Sequence, residues 1–122
     1  MTNFKIAVIG DKDFADYAQM KSTLDSFINI HEGKTISIIS GSENSIDLLA
    51  KKYALDNNIE FECYPIDKSR YGSVAALARN RVIVNGADRV IAFWRGKTSE
   101  TKNAIEEAER TDIPSYIVGI DP

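Results

Sequence analysis

Five short apolar runs alternate with longer amphipathic stretches, and that alternation is the main structural signal in the chain. The runs cover residues 5–9, 35–40, 60–64, 89–93 and 115–118. The first, second and fourth are nearly continuous in Val, Ile and Ala, as expected when helices cover both faces of a parallel sheet. The third alternates, with Glu60 and Glu62 opposite Phe61 and Cys63, and reads as an edge strand with one face in water. Between the runs, Tyr17, Met20, Leu24, Phe27 and Ile28 recur at helical spacing, as do Ile46, Leu49, Ala50, Tyr53 and Ala54. Val74, Leu77, Ala78 and Val82 predict a third helix, with Gly86 placed to end it. A last helix is predicted from Ser99 to Arg110, with Ala104, Ile105 and Ala108 inward. The predicted fold is α/β: a Rossmann-like open sheet, mostly parallel, of about five strands with helices on both faces.

Composition supports one packed unit. The 122 residues are 43% hydrophobic and 27% charged, which suits a single domain spanning residues 1–122. The formal net charge is −3, and such mild acidity predicts no general nucleic-acid binding, which ordinarily needs a basic stripe. Cys63 and His31 are each the only residue of their type, so a disulfide framework and a Cys- or His-based metal cluster are excluded. No apolar run approaches the roughly 18 residues that span a bilayer, and the start of the chain has no leader pattern. The expectation is a cytoplasmic protein without metal, cofactor or membrane attachment.

Ligands of open parallel sheets bind beyond the carboxyl ends of the strands. Three loops in this chain carry small and polar residues there: Gly10-Asp11-Lys12-Asp13-Phe14, the stretch from Ser40 to Asp47, and the stretch from Trp94 to Thr101. Each leads into a helix, whose free N–H groups and dipole favour an anion such as phosphate. Any one of these loops is ordinary helix capping. It is the three on one edge that point to a site, with Gly10, Gly41 and Gly96 expected close together. Gly96-Lys97-Thr98 is the tail of a P-loop pattern, but the first glycine of that pattern would fall at Ile91, inside a strand. No G-x-G-x-x-G follows the first strand either, which speaks against ordinary NAD(P) binding. Trp94 at a strand end is either core filler or a stacking surface for a base.

The ordered set of loops resembles the DUF2493 (YspA-type) branch of the SLOG superfamily, which is related to the LOG and DprA nucleotide-binding folds. The resemblance runs from Ile6 to Val118. It rests on Gly10 with Asp13-Phe14, Ser40-Gly41 with Asp47, Pro65 and Asp67, Tyr71-Gly72, Arg79-Asn80, and Phe93-Trp94 with Gly96-Lys97-Thr98 and Thr101. It implies a module that binds a nucleotide or nucleotide-derived small molecule at the carboxyl edge, as sensor, carrier or sequestering protein. The implied ligand-binding residues are Gly10, Lys12, Asp13, Ser40, Gly41, Ser42, Asp47, Asp67, Arg79, Asn80, Trp94, Gly96, Lys97, Thr98 and Thr101. The base would pack near Trp94, phosphate would meet the Gly41 and Gly96 loops, and Lys12, Arg79 and Lys97 would supply charge.

The chain also departs from the family pattern. Lys12 replaces an arginine, while Ser45, Ala76 and Glu100 stand where glycines are usual. Hydrolytic relatives carry a glutamate three residues beyond Thr101, where this chain has Ala104. An N-glycosidase would therefore have to use Glu43 or Glu100 as its catalytic carboxylate. The substituted glycines equally fit a protein-interaction domain with a degenerate site. A homo-oligomer is the common state for a small domain with an edge strand and exposed helices.

Overall fold

All five strands of the sheet run parallel, in the order β3-β2-β1-β4-β5. The computed structural model describes residues 3–31, 33–42 and 44–120. Along the chain the elements are β1 (Asn3–Gly10), α1 (Tyr17–Ile30), β2 (Thr35–Ser40), α2 (Ser45–Asp56), β3 (Glu60–Cys63), α3 (Lys68–Tyr71), α4 (Ala75–Asn85), β4 (Arg89–Trp94), α5 (Ser99–Arg110) and β5 (Ser115–Gly119). A single 3-10 turn, Gly72–Val74, joins α3 to α4. From β1 the chain builds outward to β3, then returns to place β4 on the other side of β1. The order therefore reverses between β1 and β4, which is where an open α/β sheet leaves a crevice.

The pleat explains the two cores. Along β1, Ile6 and Val8 face one layer while Ala7 and Ile9 face the other, and Ile91 and Phe93 alternate with Val90 and Ala92 along β4. Ile6, Val8, Ile91 and Phe93 pack under Met20 and Leu24 of α1 and Ile46, Ala50, Tyr53 and Ala54 of α2. Ala7, Ile9, Val90 and Ala92 pack under Ile83 and Val84 of α4 and Ala104, Ile105 and Ala108 of α5. Right-handed crossovers require this sorting, because the direction of travel across the sheet changes once, after β3.

Tyr53, almost fully buried, ties α2 to α1 by donating its hydroxyl proton to Asp25 at 2.6 Å. Burial and that carboxylate together push the phenol pKa upward. Phe14, just beyond β1, stacks on Phe93 of β4 with ring centroids 4.7 Å apart, closing the α1–α2 core beneath the crevice.

The predicted elements are all present, with β3 on an edge as expected, but α4 turns Ile83 and Val84 to the core and leaves Val82, and Val74 before it, about half exposed. One further segment differs. The sequence pattern leaves residues 67–72 as a loop, whereas Lys68–Tyr71 forms a helical turn. The cause is local: the Asp67 carboxylate accepts bonds from Arg70 N (3.1 Å) and Ser69 Oγ (2.7 Å), capping a turn too short to show a hydrophobic period.

Phe14 is 1% exposed, and truncating a buried aromatic leaves a cavity beside Phe93. Phe14→Ala is expected to cost about 3–5 kcal/mol. Urea unfolding followed by circular dichroism reads this as a lower midpoint with an unchanged slope.

Candidate functional site at the strand-order reversal

The crevice floor is built around one buried carboxylate. Asp11, 2% exposed, follows β1, and its N–H donates to Phe93 O at 3.0 Å, extending the β1–β4 ladder by one residue. Its side chain then reaches across to the loop after β4. Oδ2 accepts from Arg95 N (3.0 Å) and Arg95 Nη1 (3.1 Å), and Oδ1 accepts from Thr98 Oγ1 (2.9 Å). Gly10 makes this approach feasible: a Cβ there would be driven into the Phe93 carbonyl oxygen and lie 2.8 Å from Ile46 Cδ1.

Above this floor lies an open cleft of about 500 Å³, lined by residues 10–13 on one side and by Arg95 and residues 97–101 on the other. Arg95 also pairs with Asp13, at 2.8 Å, and Lys12 Nζ faces Glu100 Oε2 across the cleft at 3.5 Å. The Asp13 carboxyl is held below the ordinary aspartate range by the hydrogen bond and charge of Arg95, and the Arg95 pKa is raised in return. Lys97 makes no ion pair with a described residue. Thr98 is the N-cap of α5, yet its hydroxyl is given to Asp11 and caps nothing in the helix. The first turn of α5 thus meets the cleft with its leading N–H groups uncapped by a side chain.

The loop after β2 is arranged in the opposite way. Asp47, 5% exposed in the first turn of α2, accepts from Ser40 Oγ (2.8 Å), Gly41 N (3.0 Å) and Asn44 N (3.0 Å). The guanidinium of Arg79 lies over Gly41, so closely that a Cβ there would collide with Arg79 Nη1 and sit 2.7 Å from Asp47 Oδ2. Arg79 is fixed by bonds to Asn80 Oδ1 (2.9 Å) and Tyr64 O (3.3 Å). Between these groups and the cleft only a narrow crevice of about 20 Å³ remains, lined in part by Gly10, Lys12, Gly41, Asp47, Arg79, Asn80, Glu100 and Thr101.

The structure therefore brings Gly10, Lys12, Asp13, Lys97, Thr98, Glu100 and Thr101 to the cleft, and Gly41, Asp47, Arg79 and Asn80 to its inner extension. Ser40 is fully buried in the Asp47 network, and exposed Ser42 and Gly96 lie outside both linings. Two expectations need correction. Trp94 does not face the cleft: it packs against the α4–α5 core, because its place in the pleat matches Ala92. Asp67 caps α3 and lines a separate apolar groove with Pro65, Tyr71 and Val82. Glu43 lies outside the described residues. The central pair, Asp11 and Arg95, was missed. The signal for it is an acid one residue past β1 and a base one residue past β4, which becomes visible only once those two strands are known to be neighbours. Among the described residues no group of three or more His, Cys, Asp or Glu side chains is placed to hold a metal ion, and no helix is long and apolar enough to cross a membrane.

No protein-family model and no curated sequence matches the chain. Solved structures do. DNA processing protein A from Helicobacter pylori is 21% identical, with a TM-score of 0.67 over 98% of this chain and 67% of that one. The C-terminal domain of a Pyrococcus furiosus hydrogenase is 14% identical, with a TM-score of 0.52 over 93% of this chain and 90% of that one. The chain thus has a Rossmann-type fold like that of DNA processing protein A. That relative binds single-stranded DNA, a finding that overturns the exclusion of nucleic acid drawn above from net charge. Whole-chain charge averages over the surface and does not describe the field inside one cleft.

The pairing of Asp13 with Arg95 has a titration signature. A carboxyl lowered from its ordinary value of 3.8 keeps its ion pair above that value and loses it as the pH falls through the lower, folded one. In Arg95→Gln, carbon-detected NMR titration is expected to show the Asp13 carboxyl moving back up toward 3.8. An unmoved value would mean that the pair does not persist in solution.

Proposed function

We propose that the chain is a nucleotide-binding module of the SLOG type, akin to its DUF2493 branch, holding a nucleotide or a nucleotide-derived molecule over the first turn of α5. One observation carries this reading: at the strand-order reversal, Asp11 takes the Thr98 hydroxyl and leaves the start of α5 open to a cleft of about 500 Å³. Lys97, beside that turn, supplies a cation for the phosphate. The Gly41 loop is a poorer phosphate site than its sequence suggests, because Asp47 occupies its N–H donors.

The nucleotide is either free or one unit of a single strand. The strand is included because the fold is shared with a single-stranded DNA-binding protein. Hydrolysis is the weaker reading. Ala104, which stands where hydrolytic relatives carry their glutamate, is fully buried against the sheet, and Glu100 faces Lys12. Exposed, unpaired Cys63 suits a reducing cytoplasm.

Calorimetry with adenosine 5′-monophosphate and with a short oligothymidylate tests the proposal. Binding of at least one is expected, weakened about fivefold or more by Lys97→Ala, with the larger loss at low salt where screening is least. Binding that is indifferent to Lys97 would move the phosphate away from α5. Steady release of free adenine from the monophosphate would make the module an enzyme.

A further inference from the structure

Resting on that reading, we infer that the inner crevice takes one sugar hydroxyl of the bound nucleotide, held by Thr101 and Asn80, which makes the site selective for a ribonucleotide over its deoxy counterparts. Two buried polar side chains point to this. Asn80, 8% exposed, precedes Ile83 and Val84 on the sheet-facing side of α4, and Thr101, 3% exposed, precedes Ala104 and Ile105 on that of α5. Each stands where the buried stripe of its helix calls for an apolar residue. Asn80 Oδ1 accepts from Arg79 Nε at 2.9 Å, but its amide nitrogen has no partner among the described residues, and neither has the Thr101 hydroxyl. Both residues line the crevice. Buried polar groups cost stability while nothing bonds them, so each asks for a partner from outside the protein.

The size and charge of the crevice define that partner. About 20 Å³ admits one water-sized group and no phosphate. The charges lining it cancel, Lys12 and Arg79 against Asp47 and Glu100, so it exerts no net pull on an anion. Asn80 offers a donor, Thr101 a donor or an acceptor, and the two carboxylates only acceptors. A neutral group that both donates and accepts suits this lining, and among the parts of a nucleotide that is a sugar hydroxyl. A base carbonyl cannot donate, and an exocyclic amine does not accept. The position agrees as well. Gly10, Lys12, Glu100 and Thr101 line both crevice and cleft, so the two are continuous, and a ribose is joined directly to the phosphate proposed to lie over the first turn of α5.

Adenosine 5′-monophosphate and its 2′-deoxy and 3′-deoxy forms share base and phosphate and differ by one hydroxyl, which makes them the probes. Calorimetry is expected to show at least one deoxy form binding about fivefold or more weakly than the parent. Thr101→Val should bring the parent down to the level of that deoxy form, whereas Thr101→Ser, which keeps the hydroxyl, should preserve the difference. Because that hydroxyl has no partner among the described residues, Thr101→Val should also leave the thermal midpoint of the free protein unchanged or raised. Three equal affinities, or a difference that survives in Thr101→Val, would overturn the inference and leave nucleotide binding standing. A lowered midpoint with no change in affinity would assign the hydroxyl to the fold and overturn it likewise. Binding of none of the three would overturn it too, and where oligothymidylate also fails to bind, the nucleotide reading falls with it.

Discussion

The crevice depends on one buried carboxylate. Asp11 is desolvated on the β1 side of the strand-order reversal, and each of its oxygens is satisfied from the β4 side, by Arg95 N, Arg95 Nη1 and Thr98 Oγ1. A buried charge of this kind is tolerable only while its partners are in place. The loop after β4 is therefore held by the loop after β1, although 84 residues separate Asp11 from Arg95. Gly10 is the other half of the constraint, since only the absence of a Cβ lets β1 run on beside the Phe93 carbonyl and deliver Asp11 to that position.

From this follows the contrast between the two helices that start at the crevice. Both α2 and α5 carry an acidic residue in the first turn, but the two acids do different things. Asp47 turns back onto Gly41 N and Asn44 N and satisfies its own helix start, so that loop is closed by the protein itself. Glu100 turns across the cleft to Lys12, and the residue that would normally cap α5, Thr98, has been drawn down to Asp11. One helix start is self-sufficient. The other opens uncapped onto the cleft.

Much of the fold was legible in the sequence because it is written in short-range patterns. Continuous Val and Ile in β1, β2 and β4 follow from burial on two faces, and the charged alternation of β3 follows from its edge position. Turn Lys68–Tyr71 escaped because four residues hold no helical period; its only signal was Asp67 as a cap. The site was legible in part. Small and polar loop residues marked the edge of the sheet at which the cleft opens, but strand order decides which loops face each other, and local pattern does not contain strand order. That is why Asp11 and Arg95 were passed over and why Gly41 received a phosphate its N–H cannot hold. Trp94 was ambiguous for a simpler reason. Its position at a strand end suited either core packing or base stacking, and the pleat sends its side chain to the α4–α5 core.

The division between floor and rim bears on how one fold serves different ligands. Asp11 and Asp47 are at least 95% buried and bonded within the sheet edge, so substitutions there disturb folding before they alter recognition. Lys12, Asp13 and Lys97 are exposed on loops the floor holds in place, and exchanging them costs little stability. Changing ligand chemistry is therefore easiest by changing rim charge. Lys12 and Glu100 are a matched pair of opposite charges, 3.5 Å apart, on the two sides of the cleft. Neither alone would leave the lining as balanced as it is. An isolated lysine would strengthen the attraction for any anion, and an isolated glutamate would repel every one. Together they keep the net charge of the rim unchanged.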